Sequence, residues 1–175
     1  MRATVDSFKR TVIIGNSGSG KSHLAQELAE LTECDVVHFD EHFWEPGGFN
    51  KKRPPDIAQK EIHIISQAGS WIMEGVFGDL AESVLPNATA LIFLDKSWCE
   101  CETALFGRGS ESSKQLDQIT AKKNFNELLI WAKAYWEREN SCSQKHHQKL
   151  FSEFKGTKLK FMSRADSENF LESLT

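Results

Sequence analysis

Short apolar runs alternate with longer amphipathic stretches along the whole chain, and glycine-rich or polar breaks separate them. Thr11–Ile14 is β-branched and stops at Gly15, the signature of a short buried strand. After a break of Gly and Ser, Leu24, Leu28 and Leu31 recur at helical spacing, which predicts a helix from Gly20. Asp35–Asp40 reads as a second strand, and residues 41–55 as loop, with two Gly, three Pro and a basic cluster. Asp56 is placed to cap a helix carrying Ala58, Ile62 and Ile65 on one face. Trp71–Glu74 predicts a third strand closed by Gly75, and Ala88–Asp95, apolar almost throughout, a central fourth. Ser97–Gln118 is mixed and polar. A long amphipathic helix is expected over Thr120–Arg138, with Phe125, Leu128, Leu129, Ala132 and Tyr135 inward. Ser143–Lys149 reads as a solvated connection, Thr157–Ser163 as the last strand and Ala165–Leu174 as a closing helix. Strand and helix alternate from end to end, so the fold class is α/β, a parallel sheet of about five strands flanked by helices.

Composition narrows this only a little. The 175 residues are 39% apolar, with 12 Phe and 5 Trp, enough for one folded domain over residues 1–175. No apolar run approaches the roughly 20 residues that span a bilayer, so no membrane role is expected and the default compartment is the cytosol. The four cysteines, Cys34, Cys99, Cys101 and Cys142, have no metal-binding spacing and read as free thiols. A formal charge of −4 counts against nucleic acid as the main partner. The sequence is silent on oligomeric state.

The break after the first strand changes the picture. Gly15-Asn16-Ser17-Gly18-Ser19-Gly20-Lys21-Ser22 fits G-x-x-x-x-G-K-[ST] between a strand and a helix, and His23 follows in the first helical turn. Glycines let the backbone turn successive N–H groups toward a polyphosphate, and the helix adds the positive end of its dipole. Lys21 is expected on the β- and γ-phosphates of ATP, and Ser22 as a Mg²⁺ ligand. Asp95, ending the fourth strand, is a candidate second metal acid or else a turn residue.

Other stretches carry a resemblance. "VIIGNSGSGKSHLAQELAEL", "VVHFDEHFWEPGG", "SWIMEGVF", "ALIFLD" and "WAKAYWER" together resemble the adenylate-kinase-related family labelled DNA topology modulation (FlaR-like) proteins. That resemblance implies an adenylate-kinase-like P-loop NTPase fold with an acceptor-binding insertion at about 41–70 and a lid at about 97–118. The implied activity is transfer of the ATP γ-phosphate to a nucleotide or another small-molecule acceptor. Arg53 and Arg138 match arginines of the family pattern. The lid is Arg-poor for such a family, and Arg108, between Gly107 and Gly109, is its candidate for the transferred phosphoryl group.

On the acceptor side, Asp40 sits past the second strand, as a base for the attacking hydroxyl or as a cap. Glu74 and Gly75 offer an acid and room for a ligand. Arg53 reads as a phosphate clamp or a solvated loop residue. Trp44 and Phe49 stack on a planar acceptor or staple their loop. His38 reads as structural. Arg164, after the last strand, is placed to stack on adenine. The alternative to a kinase is an ATP-binding regulatory or DNA-topology-associated protein with little transfer activity, and a degenerate kinase fold that serves as a binding partner is a third reading.

Overall fold

The computed structural model describes residues 5–46, 51–109 and 117–175. Five strands form one parallel sheet: β1 (Arg10–Gly15), β2 (Val36–His38), β3 (Trp71–Gly75), β4 (Ala90–Leu94) and β5 (Thr157–Phe161), in the spatial order β2-β3-β1-β4-β5. The alternation of strand and helix seen in the sequence requires this outcome, because parallel neighbours need crossover connections.

The helices lie on both faces. They are α1 (Lys21–Thr32), α2 (Phe39–Phe43), α3 (Pro55–Ile65), α4 (Gly78–Val84), α5 (Trp98–Arg108), α6 (Gln118–Lys133), α7 (Gln144–Glu153) and α8 (Arg164–Leu174). Successive residues of a strand point to opposite faces, so β1 divides its side chains between two cores. Val12 and Ile14 pack with Met73, Leu91, Phe93, Ile62, Leu80 and Leu150. Ile13 packs with Leu24, Leu28, Ile72, Ile92 and Phe161 on the α1 side. A central strand covered on both faces must be apolar at every position, which is why "TVII" shows no alternation.

Several segments differ from the sequence expectation. The second strand is shorter, since α2 begins at Phe39 and puts Asp40 in a helical first turn. The start of the expected loop is therefore helical through Phe43, and α3 begins at Pro55, whose missing N–H suits a first helical position. Asp56 lies inside the first turn of α3 and not at its cap. The polar 97–118 region holds three turns of helix, α5, capped by the Ser97 side chain on the Glu100 amide. Gln144–Glu153 is helix α7, capped by Ser143 and anchored through buried His147 and Leu150. Its near-absence of apolar residues disguised it as a connection. The expected long helix is α6, ending at Lys133 and continued by a 3₁₀ turn at Ala134–Trp136. Among the described residues, no helix is long and apolar enough to cross a membrane.

Candidate active site

β1 ends at Gly15, and the chain loops through Asn16–Gly20 before α1 starts at Lys21. Gly18 and Gly20 hold φ of 79° and 92°, the left-handed region where a side chain is strained. At Gly18 a Cβ would also lie 2.4 Å from the Cys101 carbonyl oxygen and 2.8 Å from Leu105, so this glycine lets the loop lie directly on α5. Gly20 occupies the N-cap position of α1 without a side chain to satisfy the first helical N–H groups. Asn16 pins the loop by donating its amide to the Ala132 carbonyl at the end of α6, 2.9 Å away. Ser19 Oγ is buried without a hydrogen-bond partner among the described residues.

Lys21 is 9% exposed and donates to the Asn16 carbonyl at 2.8 Å. Burial holds its pKa below the ordinary lysine value, opposed by the carboxylates of Glu74 and Asp40. Ser22 Oγ donates to Glu74 Oε1 at 2.9 Å, and His38 Nδ1 meets the same oxygen at 2.5 Å. Register explains the convergence. His38 pairs with Glu74 across β2 and β3, while Glu74 pairs with Ile13 of β1, two residues before the loop. Burial pushes the Glu74 pKa up, but His38, Lys21 and Ser22 outweigh it and leave the carboxyl below its ordinary value. The hydrogen bond to Glu74 raises the pKa of His38. His38 is thus part of this cluster, although its place in the sequence suggests only a structural role. A His at the end of one strand level with an acid ending the next is a signal legible only once strand order is known.

Asp95 is not joined to Ser22. Its carboxylate meets Lys160 Nζ at 2.7 Å and Gln144 Nε2 at 3.3 Å, on the β5 side of the sheet. Gly75 also serves a different end. A Cβ there would lie 2.7 Å from Phe39 Cβ, so its missing side chain admits Phe39, which is fully buried.

A cleft of about 490 Å³ opens beside the loop, lined among others by Ser17, Asp40, Trp44, Lys52, Phe77 and Arg108. Phe43 and Phe77 stack at 3.8 Å on its wall, with Trp44 edge-on to Phe43 at 4.9 Å. Asp40 and Arg108 therefore face one space from opposite elements, α2 and the last turn of α5. Arg53 is turned from this space onto Glu61, which His42 also meets at 3.0 Å, and lies 4.0 Å from Glu45. Arg138 lays its guanidinium 3.8 Å from the Trp131 ring and donates to the carbonyls of Trp131 and Cys142. Arg164 is exposed at the start of α8 and pairs with Glu168 at 2.6 Å. His23 is exposed in the first turn of α1. Phe49 and part of the expected lid, residues 110–116, lie outside the described residues.

Solved structures share the overall fold. The chain superposes on a shikimate kinase from Acinetobacter baumannii in complex with shikimate with a TM-score of 0.53 and 13% identity, covering 97% of this chain and 94% of that one. A shikimate kinase from Aquifex aeolicus gives 0.50 and 17%, covering 94% and 95%. The likeness is one of fold, a five-stranded parallel sheet flanked by helices. No protein-family model matches the sequence, and no curated protein does.

Proposed function

We propose that the protein is an ATP-dependent phosphotransferase that moves the γ-phosphate of ATP to a hydroxyl of a small acceptor bound in the cleft. The observation that carries this reading is the junction of Ser22 with Glu74 at the foot of the glycine-rich loop, beside a cleft that holds Asp40 and Arg108. Loop amides and Lys21 would hold the β- and γ-phosphates. Ser22 and Glu74 present the hard oxygen ligands that Mg²⁺ takes, and they replace the pairing of Ser22 with Asp95 expected from the sequence. Among the described residues no group of three His, Cys, Asp or Glu side chains can hold a metal ion alone. Mg²⁺ would screen the negative charge of the phosphates during transfer. His38 orients Glu74 from behind.

Asp40 would accept or orient the proton of the attacking hydroxyl, and Arg108 would stabilise charge on the phosphoryl group. The aromatic wall of Phe43, Trp44 and Phe77 suits a planar ring. Arg53, drawn to Glu61 and Glu45, supports an acceptor without a phosphate of its own more than a nucleoside monophosphate. Arg138, held by two carbonyls and a ring, supports a bracing role in place of a phosphate contact. The FlaR-like resemblance rests on sequence motifs alone and adds no reaction of its own.

The test is ADP release from Mg·ATP across nucleosides, nucleotides and hydroxyl-bearing metabolites. At least one neutral hydroxyl acceptor should accelerate release, and Asp40→Asn should lower that rate about 10²–10⁴-fold while sparing ATP affinity. ATP binding that no acceptor converts to faster turnover would overturn the reading in favour of a regulatory nucleotide binder.

A further inference from the structure

Lys96 follows β4 and is 9% exposed, the same fractional exposure as Lys21. Its ammonium reaches the opposite flank of the glycine-rich loop, 3.5 Å from the point a Gly20 Cβ would occupy. Buried ammonium groups are costly unless paired. Among the described residues Lys96 has neither a hydrogen bond nor a salt bridge from its side chain. The carboxylate nearest in sequence, Asp95, is already bound to Lys160 and Gln144. The charged groups that act on Lys96 are Glu100 on α5 and Arg164 and Glu168 on α8, with Cys101 also nearby. Those on Lys21 are Glu74, Asp40 and Arg108, with Cys101 again between. The two ammoniums thus bracket the loop, one on the cleft side and one on the α8 side.

Gly20 caps α1 without a side chain, so the helix start presents unsatisfied N–H groups where Lys96 points. We infer that Lys96 is a second phosphate-binding cation of the donor site, contacting the α- or β-phosphate of the nucleotide at the N-terminus of α1 while Lys21 takes the γ-phosphate end. The inference rests on the donor-nucleotide reading above and adds a residue to it. An anion there relieves two burdens at once, since it pairs a stranded ammonium and neutralises a helix terminus. Burial lowers the pKa of Lys96, and Glu100 opposes the shift without forming a salt bridge. Binding of a polyphosphate supplies a counter-ion.

Calorimetry with Mg·ATP and with inorganic tripolyphosphate, on the wild type, Lys96→Met and Lys96→Arg, tests this. Lys96→Met should bind both ligands about tenfold more weakly, as loss of one charged hydrogen bond implies, and Lys96→Arg should recover most of the affinity. The unliganded thermal midpoint of Lys96→Met should be equal to or above that of the wild type, because the substitution removes an unpaired buried charge. Wild-type affinity of Lys96→Met for both ligands would overturn the inference and leave the donor site intact. So would a loss confined to ATP, which would put Lys96 on the base or ribose, or a lowered midpoint, which would make it structural. A wild-type protein that binds neither ligand would remove the donor site and this inference together.

Discussion

Acidification should unfold this protein through a single buried imidazole. His147 is fully buried in α7, with Nδ1 2.7 Å from the Tyr135 hydroxyl and Nε2 3.0 Å from the Val76 carbonyl. The carbonyl can only accept, so Nε2 carries the hydrogen and Nδ1 takes the tyrosine proton, which defines a neutral ring. Burial lowers its pKa from 6.5 to about 3. In the unfolded chain the ring binds a proton near its ordinary value, so below that value the unfolded state holds one proton more than the folded state. Stability therefore falls as pH drops from about 6.5 toward about 3. Between about pH 7.5 and about pH 5 the loss from this group is ~2 kcal/mol, with a limiting slope of ~1.4 kcal/mol per pH unit. His38 works the other way. Its raised pKa contributes stability that is present at low pH and lost as pH rises through that value, so the wild-type curve alone understates the His147 effect. Urea denaturation of the wild type and of His147→Gln at both pH values removes the ambiguity, since only the wild type should show the extra ~2 kcal/mol. NMR titration of the His147 ring gives a direct check in the wild type. A midpoint at or above about pH 6 would refute the argument.

Gly75→Ala should cost ~1–3 kcal/mol in a denaturation midpoint, because its Cβ would press on Phe39 Cβ and Cδ2 at 2.7 and 2.9 Å. Unchanged stability with lost acceptor turnover would instead mean that a ligand needs the space. Arg138→Gln should lower stability by ~1–3 kcal/mol by freeing the Trp131 and Cys142 carbonyls and unstacking Trp131. A collapsed kcat with stability intact would restore Arg138 to the phosphoryl group.

The glycine-rich loop was legible in the sequence because its chemistry is local: eight consecutive residues carry the turns, the cation and the hydroxyl. The partner of Ser22 was not. Glu74 and Asp95 each close an apolar run in the sequence, and the strands of both runs, β3 and β4, prove to be neighbours of β1. What separates them is which way each carboxylate is drawn, toward Ser22 in one case and toward Lys160 in the other, and that depends on contacts across more than 50 residues. His38 was obscured for the same reason, since its level with Glu74 exists only through the β2–β3 register. Helix α7 escaped because two buried side chains, His147 and Leu150, leave too faint a stripe to read. The extent of α2 was hidden by competition between a strand-like run and a helix start at Phe39, settled by the fit of Phe39 over Gly75.

The seating of Gly18 on the Cys101 carbonyl gives α5 the character of a rocker. Its middle leans on the strand-to-helix turn and its far end carries Arg108, about 10 Å further along the axis at ~1.5 Å per residue. On the proposed function, tilting that rod to bring the guanidinium over an acceptor would press or release the turn beneath the fulcrum. Arrival of one reactant would then be felt at the seat of the other.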